Sequence, residues 1–160
     1  MRKSIVTPNP ATKTPISDNW RDLERIARVE ITSEDAAFPI EHALGKAATT
    51  GWRAATTGPQ VIRLFFDEPL TIKHLNLHFA EKVAERSQEF AVYASSGSAE
   101  LREVVRQQWN FSPSGTTEEI EDYKLDLSDV TMLELRIDPD RSHDPKQSTN
   151  YASLQSLKLA

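Results

Sequence analysis

From Ala27 to the C-terminus, apolar residues return at every second position in a series of short runs. Ala27, Val29 and Ile31 alternate with Arg28, Glu30 and Thr32, and Leu75, Leu77 and Phe79 alternate with His74, Asn76 and His78. The pattern recurs in Phe90, Val92 and Ala94, in Tyr123, Leu125 and Leu127, and in Leu133, Leu135 and Ile137. Leu101, Val105 and Trp109 share one face of a further run with Val104 on the other, and residues 61–66 are mostly apolar. Leu157 and Leu159 close the chain with Leu154 out of phase, which predicts a bulge near Gln155 and Ser156. Successive side chains of a strand point to opposite faces, so this period marks strands half buried in sheets. About eight short strands with almost no helical periodicity predict an all-β fold, an antiparallel β-sandwich of two sheets or a barrel, rather than βαβ units.

The chain has 160 residues, enough for one domain. Residues 1–16 carry Pro8, Pro10 and Pro15, which fix φ and bias their predecessors toward extended backbone. They predict an extended, flexible N-terminal arm, followed by a single sandwich domain over residues 17–160. Ser17, Asp18 and Asn19 offer an N-cap, and Trp20, Leu23 and Ala27 recur at helical spacing. One or two helical turns, or an extended lead-in pinned by Trp20, follow from that. No apolar run reaches the 18 residues of a spanning helix, and residues 1–10 lack the apolar stretch of a secretory signal. Cysteine is absent, which removes disulfides and thiolate chemistry and fits a reducing, cytoplasmic location. Lys and Arg number 19 against 24 Asp and Glu, a net charge of −5. A binder of phosphate backbones carries the opposite sign, so no nucleic-acid partner is expected, and no membrane insertion.

The links between strands are uneven. Asp67-Glu68-Pro69, Ser96-Gly97-Ser98 and Ser128-Asp129 are short and built from turn formers, whereas residues 34–59, 80–88, 111–120 and 139–150 are long. In an up-and-down antiparallel run, alternate links fall at opposite ends. The long loops then share one end, and a rigid scaffold that gathers its long loops there is expected to bind there.

The strand around residues 28–33, a long loop ending in Gly51-Trp52-Arg53, and then Val61-Ile62-Arg63-Leu64-Phe65-Phe66 resemble the opening of a factor V/VIII type C (discoidin) domain. The resemblance continues through Leu70 to Leu77, through Phe90-Ala91-Val92-Tyr93-Ala94-Ser95-Ser96-Gly97, through the Arg-bearing Leu133-Glu134-Leu135-Arg136-Ile137, and into the closing run from Ala152 to Leu159. It covers residues 27–160 and implies a galactose-binding-like jelly roll, a fold also used by carbohydrate-binding modules. The sequence departs from that family in two places. The family's Asp, which helps to hold a structural calcium, has no counterpart beside Gly45, where Leu44 and Lys46 stand, and the terminal cysteine pair is missing. Calcium wants six to eight oxygens, several of them anionic, so no cofactor is expected, although Glu34, Asp35 and Glu41 are nearby oxygen donors.

His74 and His78 stand four apart, which on a strand is roughly 13 Å and too far for one ion; with Asn76 they read as a solvated face. No HExxH, GxSxG or phosphate-cradling glycine loop is present. Asp138, Asp140 and Asp144 share a loop with Arg141 and His143, a residue set that an acid–base enzyme also uses. Sugar recognition asks for something else: forked donors and acceptors for hydroxyls, and an aromatic ring for the apolar sugar face. The long-loop end supplies Arg141, His143, Asp144, Arg86, Glu81, His42, Arg53 and Tyr151, while the family resemblance implies that Trp52, at a strand start, is core. Phe38-Pro39-Ile40 is either an apolar spike or a fold-back, and its acidic neighbours Glu34, Asp35 and Glu41 argue against an anionic lipid surface. These readings converge on a non-catalytic binding module for a carbohydrate-like ligand. A module docking on a protein partner in a larger assembly and a small acid–base enzyme are the alternatives.

Overall fold

The computed structural model describes residues 19–45, 50–97, 100–142 and 150–160. The expected N-terminal arm (residues 1–16), His143 and Asp144 lie outside the described residues. The elements run α1 (Leu23–Ile26), β1 (Ala27–Ile31), α2 (Glu41–Leu44), β2 (Trp52–Arg53), β3 (Gln60–Ala80), β4 (Arg86–Ser95), β5 (Arg102–Phe111), β6 (Glu118–Asp138), β7 (Ser153–Leu154) and β8 (Ser156–Leu159). Every pairing among them is antiparallel.

Two strands differ from the sequence pattern. The runs at residues 61–66 and 74–79 belong to one 21-residue strand, β3, and those at 123–127 and 133–137 to another, β6. Asp67-Glu68-Pro69 and Ser128-Asp129 are therefore bends inside strands rather than turns between them. The two long strands pair along their whole length, with register shifts between Phe65 and Leu70 and again at Ile72. Pro69 cannot donate to a ladder, and Asp129 adopts φ 54°, so both residues sit where pairing breaks.

That bend makes the two layers. On one side of it, residues 62–66 of β3 pair with β1, and residues 132–138 of β6 pair with β4, which carries β5 at the far edge. On the other side, Leu75–His78 of β3 pair with β8. The layers close on a single core in which Ile62, Leu64, Leu75, Leu77, Val92, Leu133, Leu135 and Leu157 are buried. The Phe79 and Phe90 rings, one from each layer, meet at 5.0 Å between centroids. Val29, Ile31 and Leu125, expected in this core, are only half buried at its margins. Val104 is the extra residue of a β-bulge: Val92 stands opposite Val105, and Tyr93 opposite Glu103.

The outer face of the second layer is less wet than its residue types suggest. His74 is buried, with Nε2 2.5 Å from Asp122 Oδ1 and its ring 4.7 Å from that of Trp20. The solvated-face reading of His74 is thus corrected: the segment before α1 covers it, and Trp20 does the pinning. His78 is half buried, 3.6 Å from Glu118.

Candidate ligand-binding site

The long connections do gather at one end. Glu81 N–H donates to Thr117 O (2.8 Å), Arg141 N–H to Ser87 O (2.8 Å), Gly58 N–H to Asn150 O (3.3 Å) and Ala54 N–H to Ala152 O (2.9 Å). Trp52 anchors this end from below. It is 1% exposed and its Nε1–H donates to Ser33 O at 3.0 Å, so it is core, as the family resemblance implied. Gly51 before it has φ 76°, and a Cβ there would stand 2.6 Å from Leu154 O, a close approach that only glycine allows. Beside it β2 pairs with β7, and the break at Gln155 between β7 and β8 is the irregularity that Leu154 foretold.

Above this floor lies an open cleft of about 250 Å³, where Arg53, Glu81, Lys82, Val83 and Tyr151 meet over Phe38. The Arg53 guanidinium lies over the Tyr151 ring, 5.4 Å from its centroid. A second hollow, of about 460 Å³, shares Arg53 and Tyr151 and is bordered by Glu34 and Asp35. A cation stacked on an aromatic face is held in place while its outer N–H groups stay free to donate. Phe38 folds back rather than projecting as a spike: its carbonyl accepts from Arg53 N–H at 3.1 Å, and Ile40 is buried.

The other candidates have different work. The Arg86 side chain is wholly buried, donating from Nε to Glu81 (2.8 Å) and from Nη1 to Gln88 (2.9 Å) and Pro139 O (3.1 Å), over the Phe111 ring. It fastens loops together and presents nothing to solvent. Burial alone would raise the Glu81 carboxyl, but the Arg86 hydrogen bond and charge, with the Val83 and Ala84 N–H groups, hold it below the ordinary carboxylate range. Glu81 thus enters the cleft as a fixed anion with most of its lone pairs engaged. His42 Nδ1 lies 2.7 Å from Oγ1 of Thr50, a residue on the cleft wall, which puts His42 behind the rim. Arg141 turns the other way, with Nε 3.8 Å from Glu89 on β4. Asp140 is buried and accepts from Ser142 N–H, Ser142 Oγ–H and Asn150 Nδ2–H, so its carboxylate holds its own loop.

The structure therefore brings together Arg53, Tyr151 and Glu81, keeps Arg86 and His42 behind them, and sends Arg141 elsewhere. Lys82, Val83 and Gln155 join the cleft and were not singled out from the sequence. Val83 is apolar and 87% exposed, between the charged residues Lys82 and Glu85.

No family model matches the chain, and no curated protein does. Among solved structures, a family 32 carbohydrate-binding module from Clostridium perfringens NanJ, in complex with galactose, superimposes with a TM-score of 0.61 at 11% identity, covering 88% of this chain and 96% of that one. A chitosan-binding module from a Paenibacillus sp. IK-5 chitosanase/glucanase gives 0.59 at 16% identity, over 88% and 98%. Reduced XRCC1 bound to the DNA polymerase β catalytic domain gives 0.58 at 16%, over 84% and 96%. The class is thereby defined: the chain has the galactose-binding-like jelly-roll fold shared by such modules.

Proposed function

We propose that this is a non-catalytic module that binds a carbohydrate at the long-loop end. The observation that carries the reading is the Arg53–Tyr151 stack in a cleft that Glu81 also lines. A ring offers its face to the apolar side of a sugar, an arginine fork donates to vicinal hydroxyls or a carboxylate, and a fixed carboxylate accepts. The galactose-binding and chitosan-binding neighbours support the same ligand class. Catalysis has weaker support, because Asp140 and Glu81 are engaged in holding loops.

Removing one charged hydrogen-bonding group from such a site costs about 1.5–3 kcal/mol, or roughly ten- to hundredfold in affinity. A glycan array followed by calorimetry tests this. Arg53→Ala should lose that much affinity for the sugar found and Tyr151→Ala should also weaken it by removing the stacking ring, while Arg141→Ala should change it little. Unchanged binding by both cleft variants would sink the assignment. Docking on a protein is the second reading, favoured by Val83 at the rim and by the XRCC1 complex. Millimolar monosaccharide should compete with a sugar ligand and leave a protein partner in place.

A further inference from the structure

β1 is the outermost strand of its layer: among the described residues it pairs with β3 and with nothing on its other side. Hydrogen-bond phase tells which main-chain groups it leaves open. The register places Thr32 opposite Val61, and Thr32 N–H donates to Val61 O at 3.1 Å, so these two form a hydrogen-bonded pair. Such pairs alternate in an antiparallel ladder. Glu30 and Arg28 consequently turn their N–H and C=O groups toward β3, and Val29 and Ile31 turn theirs outward. The Ala27 N–H is already taken by Leu23 O. The outward N–H groups of Val29 and Ile31 have no partner among the described residues.

A groove of about 610 Å³ runs beside this edge. Its floor includes Val29, Ile31, Ile40 and Leu44, and Glu24, Glu34 and Glu41 line it. This groove is why Val29 and Ile31 are only half buried. None of the three carboxylates stands in an ion pair among the described residues. A strand edge open among the described residues, a groove with an apolar floor, and acids that have no ion pair among those residues (Glu34 accepts only the Ile40 N–H, at 3.0 Å) describe one kind of occupant.

We propose that the β1 edge takes up an extended segment of a partner polypeptide as an additional strand, with apolar side chains in the groove and lysines or arginines on Glu24, Glu34 and Glu41. A second copy fits poorly, since it would set the same acids against each other in a chain of net charge −5. The five residues of β1 span roughly 17 Å, so the segment engages about five residues plus basic flanks. The sugar cleft plays no part in this docking.

The test uses the full chain, isotope-labelled, and a synthetic peptide Lys-Lys-Val-Thr-Val-Thr-Val-Lys-Lys, with a second peptide in which every lysine is glutamate. The basic peptide should bind saturably and slow hydrogen exchange at the Val29 and Ile31 amides by about tenfold or more. Replacing two of the three exposed acids, Glu24→Lys with Glu41→Lys, should weaken it by about tenfold or more, and the glutamate peptide should not bind. No binding of the basic peptide, equal binding of the two, or indifference to the double variant would each overturn the proposal. So would slow exchange of both amides in the peptide-free chain, or a concentration-dependent dimer that blocks the peptide, since the edge would then already be filled by this chain or its copy.

Discussion

Glu119 faces inward from β6 and is fully buried, and Gln88 Nε2–H donates to its Oε1 at 3.2 Å. Burial first, then the hydrogen bond and charge of Glu121, push its carboxyl up from 4.5 to about 8. The folded value therefore lies above the unfolded one. The native state holds a proton that the unfolded chain has released, and the stability that this proton confers is complete below about 4.5 and is lost as pH rises to about 8. Glu119→Gln keeps the acceptor for Gln88 and removes the titration. Urea melts from pH 5 to 8.5 should show the parent chain losing stability with rising pH and the variant changing less, with the variant the more stable at pH 8. Parallel curves would refute the assignment. Glu134 shows the opposite case: burial alone would raise it, but Arg63 and Arg136, each 2.5 Å away, hold its carboxyl below the ordinary range.

At the scale of elements, the decisive feature is the bend shared by β3 and β6. Asp129 sits there at φ 54°, a region that aspartate and glycine tolerate and β-branched residues do not. Asp129→Val should cost about 1–3 kcal/mol in chemical denaturation, and Asp129→Gly distinctly less. Equal costs would show that the side chain, and not the backbone, matters at this position. The turn formers around Asp67, Pro69, Ser128 and Asp129 were legible in the sequence as breaks in pairing. That each break bends a continuous strand instead of reversing it was not, because a bend and a turn draw on the same residues. What separates them is the partner: Leu70 stands opposite Val130, so both strands run on through the bend together.

For the molecule as a whole, the two layers share one core, and Leu135 is 1% exposed within it. Leu135→Ala should cost about 2–5 kcal/mol, the usual toll of a buried leucine whose cavity cannot close, and a loss below about 1 kcal/mol would contradict the packing described. Metal is a further expectation at this scale. With Leu44 and Lys46 flanking Gly45, the oxygen donors that a structural calcium needs are thin there. We propose that thermal melts with and without EDTA coincide; a fall of several degrees on chelation would reveal an ion that contributes to the fold.

The alternation of apolar residues marked where the chain is extended and, for most runs, which face turns inward, because a period of two puts every second side chain on one side of the chain. The long links were legible as loops, and they meet at one end although two of the short links taken as turns are bends inside strands; Trp52 as core followed from the family resemblance. Which loop residues face one another was decided only in three dimensions. Arg53 and Tyr151 are 98 positions apart in the chain and meet because β2 pairs with β7. Arg86 and Arg141, alike in residue type and in loop context, part ways because one fits between Glu81, Gln88 and Pro139 and the other reaches Glu89 on β4. Side-chain chemistry is written in the sequence, but burial and partner are set by packing, and these decide whether an arginine holds a loop or meets a ligand.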